Sequence, residues 1–117
     1  MKIKVGQWVR FGDNIMKVVE IEDKEGTIWI NVNGGIFSAF GYDMYKNDIK
    51  VADTPQELIQ VGDLVETVWT TIAVIPVYEV EKGKIIDSPF SAIDNEDITK
   101  ILTPNSKGDY IKQWETK

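Results

Sequence analysis

Any chemistry done by this chain proceeds without imidazole or thiolate, because its 117 residues include neither His nor Cys. That removes the commonest general base, the thiol nucleophile, the ordinary zinc ligands and all disulfide staples. Carboxylates remain. Glu20, Glu22, Asp23 and Glu25 form one acidic group, and Asp94, Glu96 and Asp97 form another. Both groups flank turns and lack the spaced Asp/Asn ladder with a central Gly that a calcium loop needs. They read as solvated charges that keep sheet edges from aggregating. The expectation is a non-enzymatic protein with no metal and no cofactor.

Recognition chemistry is better represented. Trp29, Asn31 and Asn33 alternate along one run, so they share a face of a strand. An indole beside two amides suits a planar polar ligand, and it equally suits a solvated face near a turn. The aromatic-rich segment 35–46 has no counterpart of similar length in the second half and reads as an insertion, the usual place for binding residues. Within it, Tyr42 and Tyr45 are candidates because they both stack and hydrogen-bond. Lys46 supplies a neighbouring positive charge, and Arg10, the single Arg of the chain, offers a bidentate grip on a phosphate. Trp69 is a candidate interface anchor. The competing reading of the insertion is that Phe37 and Phe40 fill the core while the tyrosines cover it.

These residues sit on a repeated framework. Val5-Gly6-Gln7-Trp8-Val9-Arg10 returns as Val61-Gly62-Asp63-Leu64-Val65-Glu66. Asp48-Ile49 with Thr54-Pro55 returns, at the same separation, as Asp97-Ile98 with Thr103-Pro104. Two landmarks in one order point to a duplicated unit. The Val-Gly-x-x-Val element has neither the GxGxxG spacing nor a P-loop lysine, so its glycine serves a tight bend. Val9 and Val65 are expected at equivalent core positions.

Alternation at Val5, Gln7, Val9 and Phe11, β-branched residues over 15–21 and a clean alternation over 27–32 predict strands. Turn clusters at Gly12-Asp13-Asn14, Asp23–Gly26 and Asn33-Gly34-Gly35 predict hairpins between them. Thr54-Pro55-Gln56-Glu57 reads as a capping box that starts a short helical turn over 55–60, with Leu58 and Ile59 plugging one end of the first module. In the second half, Pro76 marks an edge strand or bulge, Lys82-Gly83 a turn, and 97–102 a closing strand. Thr103-Pro104 marks another short helical turn, and the tail with Tyr110 and Trp114 is open to helix or strand. The predicted fold is mostly β: two tandem SH3-like or meander barrels, 1–54 and 61–117, joined by the linker 55–60 and packed together.

Modules of this size bury too little surface to be secure alone, so they are expected to pack on each other or the chain to oligomerise. A net charge of −6 with scattered lysines disfavours duplex nucleic acid and favours a cationic protein surface. No run approaches the about 18 consecutive apolar residues of a membrane span, and no signal peptide is recognisable, so no membrane contact and a cytoplasmic location are expected.

The order of Val-Gly-x-x-Val, a meander, an Asp-Ile strand, the middle run Glu57-Leu58-Ile59-Gln60-Val61-Gly62-Asp63-Leu64-Val65 and the later run 97–104 resembles a group of short tandem-β proteins of phages and prophages of Gram-positive bacteria. Near their ends those proteins read I-x-T-x-E-Q-F where this chain has Ile101-Leu102-Thr103-Pro104-Asn105-Ser106. The resemblance implies a viral accessory role and carries no mechanism. It leads to the expectation of a counter-defence factor that holds a host protein or sequesters a small nucleotide signal. The alternative is a structural adaptor of a phage or mobile element.

Overall fold

The computed structural model describes residues 3–33, 38–89 and 91–116, with the side chains of 70–73 excepted. Strand makes up 58% and helix 10%, so the mostly β expectation holds, in antiparallel sheets of which none closes into a barrel. The chain divides into two units, Met1–Leu58 and Ile59–Lys117.

The first unit is built on β1 (Trp8–Phe11), β2 (Asn14–Lys24), β3 (Thr27–Asn33), β4 (Ala39–Gly41) and β5 (Ile49–Ala52), with a one-turn helix α1 (Tyr42–Tyr45) before β5. Its sheet runs β4-β3-β2-β1-β5. Glu25 and Gly26, at φ 55° and 83°, form the two-residue turn between β2 and β3, because both positions need positive φ to match the strand twist. Val9, Met16, Val18, Ile30, Val32 and Phe40 form the core, with Phe11, Tyr42 and Tyr45 packed against it. A 3-10 turn, Pro55–Leu58, lies against β1, β2 and β5, and Leu58 is buried there as predicted. The capping box is displaced by one residue: Glu57 accepts the backbone N–H of Asp53 at 3.2 Å rather than that of Thr54.

The second unit contains β6 (Leu64–Thr67), β7 (Thr70–Pro76), β8 (Glu79–Glu81), β9 (Lys84–Ser88), β10 (Ser91–Asp94), β11 (Ile98–Pro104) and β12 (Tyr110–Glu115). It forms two sheets, β10-β9-β8 and β12-β11-β6-β7. If β7 and β8 are taken as one strand interrupted at Pro76, this is the order of the first unit with β12 added at one edge. Pro76 lacks the N–H that would continue the ladder, so the strand ends there and resumes at Glu79. The tail is therefore a strand, and the helical alternative for Tyr110 and Trp114 falls away.

The repeated signature has the same job in both units. Gln7 N–H donates to the Lys4 carbonyl and Asp63 N–H to the Gln60 carbonyl, each at 3.1 Å, closing a four-residue turn. Gly6 and Gly62 occupy its third position at φ 95° and 101°, which a side chain would strain. The Gln7 and Asp63 side chains then accept the backbone N–H of Lys4 and Gln60 at 2.8 and 3.0 Å. Val9 pairs with Met16 and Val51, Val65 with Ile75 and Ile101, and both valines are fully buried. The second landmark is only half structural. Ile49 and Ile98 each open a strand, but pairing of Thr103 with Ile111 and of Pro104 with Tyr110 in β12 extends β11 through both residues. The predicted helical turn at Thr103-Pro104 is thus strand, unlike Thr54-Pro55.

Candidate functional site

The outer face of β2, β3 and β4 brings polar groups around a tryptophan. A register shift between Val18 and Glu20 makes Val19 an extra residue in β2. Since side chains alternate with period two, this one residue reverses every later position. Val18 faces the core, yet Glu20, Glu22 and Lys24 face outward while Ile21 packs inward. Without the bulge, three charged side chains would point into the core. With it, Glu22 stands opposite Trp29 and Glu20 opposite Asn31.

On the other side, Gly41 of β4 stands opposite Trp29 and Ala39 opposite Asn31. These small residues leave a hollow of about 350 Å³ lined by Glu22, Lys24, Trp29, Asn31 and Ala39. Asn31 Nδ2 donates to Glu22 Oε1 at 2.8 Å, and Lys24 Nζ lies 3.1 Å from Glu22 Oε2. The carboxylate is therefore oriented by an amide on one oxygen and neutralised by an exposed ammonium on the other. The Lys24 hydrogen bond, followed by that of Asn31, holds the Glu22 carboxyl below its usual range. Trp29 is 37% exposed, so much of its indole is available to a ligand.

The other predicted site residues are placed elsewhere. Asn33 lies on the same face of β3, exposed and opposite Lys17, but does not line the hollow. The turn positions Gly34 and Gly35, with Ile36 and Phe37, lie outside the described residues. Tyr45 packs edge-on to Phe11 at 5.1 Å and to Phe40 at 6.2 Å, and Tyr42 packs against the same core. The tyrosines follow the covering role, and Phe40 fills the core. Lys46 is exposed and sits 3.7 Å from Asp43.

Arg10 is a clear departure. It is only 4% exposed, its Nε donates to the Gly12 carbonyl at 2.9 Å, and its Nη1 to the Leu58 carbonyl at 3.0 Å. It ties the 3-10 turn to β1 and presents no free fork to a phosphate. Trp69 stands in the β6–β7 turn at 77% exposure, its backbone N–H donating to Thr67 Oγ1 at 3.2 Å.

Sequence reasoning found Trp29 and Asn31 but set Glu22 aside as a solvated turn charge and passed over Lys24 and Ala39. A usable signal existed. A two-residue turn at Glu25-Gly26 forces Lys24 opposite Thr27 and Glu22 opposite Trp29. Among the described residues no helix is long and apolar enough to cross a membrane, and no group of three or more Asp and Glu side chains could hold a metal ion. No protein-family model, curated protein or solved structure matches this chain.

Proposed function

We propose that this chain is a non-enzymatic binding protein whose working surface is the hollow over β2, β3 and β4, and that its partner is a protein. In keeping with the resemblance to phage accessory proteins, that partner is read as a host protein whose action the chain blocks. The matched strand orders are read as a duplicated SH3-like meander, with the second copy opened at Pro76. The observation that carries the functional reading is the half-exposed Trp29 beside an amide-oriented carboxylate, held on paired strands rather than on a loop. Aromatic side chains in such settings supply much of the binding energy at protein interfaces.

Two observations favour a protein over a nucleotide. Arg10, the best phosphate ligand in the sequence, is committed to backbone carbonyls. The hollow itself presents the Glu22 carboxylate, which repels phosphate. The test is capture from a bacterial lysate by wild type and by Trp29→Ile, which keeps an apolar β-branched residue on the strand and removes the indole. The expected result is a captured protein that the variant loses while its thermal midpoint stays within a few degrees of wild type. Equal capture by both moves the working surface off this face. A nucleotide that raises the wild-type midpoint and leaves that of Trp29→Ile unmoved would replace the protein reading.

A further inference from the structure

We infer that the hollow takes a cationic side chain, a guanidinium or an alkylammonium, from a partner protein, and that Lys24 is the internal group this side chain displaces. The inference rests on the binding reading above and specifies the chemistry of its partner.

The polar groups lining the hollow make a cation receptor once Lys24 is moved aside. The Glu22 carboxylate lines the hollow with Oε1 fixed by Asn31 and Oε2 paired to Lys24, so the acceptor is already oriented. The Trp29 indole provides a negative π face beside it, and cations over Trp gain more than over other rings. Ala39 and Gly41 keep the third side low enough for a long side chain to enter along the strand. Around this point β2 carries Glu20 and Asp23 and its turn carries Glu25, within a chain of net charge −6, a field that draws a cation and repels an anion.

Lys24 shows that an ammonium fits. Its Nζ is 3.1 Å from the carboxylate, yet its side chain is 66% exposed, so it occupies the acceptor without burying itself. An exposed pair of this kind is weak, and a side chain from a partner that also covers Trp29 adds apolar burial that Lys24 does not. The duplicated unit supplies an internal contrast. Aligned on the fully buried Ile30 and Ile85, β8 and β9 place Glu81 and Lys84 opposite each other where the first unit has Glu22 and Trp29, and Ile86 where it has Asn31. That site keeps a carboxylate but lacks the indole and the amide.

The experiment uses the full chain labelled with ¹⁵N and three probes: a short neutral peptide with one central arginine, the same peptide with citrulline, and adenosine monophosphate. The arginine peptide is expected to shift the Trp29 indole and Asn31 side-chain amide signals, and the citrulline peptide is not. Glu22→Gln should weaken the arginine peptide roughly tenfold by removing the charged acceptor. Lys24→Ala should tighten it roughly threefold by removing the competitor. Equal shifts from both peptides, or weaker binding by Lys24→Ala with its fold intact, overturn the cation inference. Shifts from the nucleotide alone also overturn it while leaving the hollow a binding site. If no probe moves these signals, and Trp29→Ile also keeps capture from lysate, the binding reading fails with it. Amide spectra of each variant establish that the fold is retained.

Discussion

The two units share a strand order and differ in one central strand. In the first, β2 runs unbroken for 11 residues and absorbs its irregularity as a bulge at Val19. In the second, the corresponding stretch stops at Pro76 and resumes as β8. A bulge preserves the ladder and re-aims side chains, whereas a proline removes a donor and ends it. So one unit keeps a continuous five-stranded sheet whose outer face carries Trp29, Glu22 and Asn31, and the other splits into two smaller sheets. The comparison teaches that the two units share the turn and core positions that close the fold and differ on their outer faces.

The strongest way to break this comparison is at the shared core. Val9→Asp and Val65→Asp each bury an unpaired charge at a fully enclosed position, at a cost above about 4 kcal/mol. Both are expected to abolish the cooperative unfolding transition followed by circular dichroism. A native-like melt from either one would mean that the two valines are not equivalent.

Next in size is the contrast between Tyr45 and Trp69. Tyr45→Ala removes two edge-to-face contacts at the core and is expected to cost about 2–4 kcal/mol. Trp69→Ala, at an exposed turn, should stay within about 0.5 kcal/mol. Denaturant titration measures both. A neutral Tyr45→Ala would return that tyrosine to the list of free recognition residues.

The shared turn gives a smaller and sharper test. Gly6→Ala and Gly62→Ala meet no neighbouring atom, so only the positive φ penalises them, by about 1–2 kcal/mol each. Their side-chain partners should differ. Asp63 is 1% exposed while Gln7 is half-buried, so Asp63→Ala is expected to cost about 1–3 kcal/mol and Gln7→Ala less than about 1 kcal/mol. Thermal midpoints order the four variants, and equal losses at Gln7 and Asp63 would erase the asymmetry.

The smallest effects come from pH. Glu22, held below its ordinary value by Lys24 and Asn31, favours the folded state above pH 4.5, and this is lost as pH falls through the lowered value. Lys100 is raised above 10.5, chiefly by Glu66 at 3.1 Å, so its contribution persists below 10.5 and is lost as pH climbs through the raised value. Side-chain resonance titrations should therefore show Glu22 of the first unit titrating below 4.5 and Lys100 of the second titrating above 10.5.

Local rules were enough for much of this molecule. The duplicated Val-Gly-x-x-Val turn, the hairpin at Glu25-Gly26, the break at Pro76 and the burial of Val9 and Val65 follow from backbone permissiveness, missing donors and alternation, all of which act over a few residues. The common face of Trp29 and Asn31 was legible for the same reason. Two other features depended on pairing between distant segments. Arg10 reads as a surface cation until the Leu58 carbonyl, 48 residues away, claims its guanidinium. Tyr45 reads as an available ring until Phe11 and Phe40 close on it. The bulge at Val19 leaves little trace in a run of β-branched and acidic residues, yet it decides whether Glu22 and Lys24 face the core or the hollow. Side-chain type and spacing determined which residues were able to take part in recognition. Strand register, a property of two segments at once, determined which of them meet.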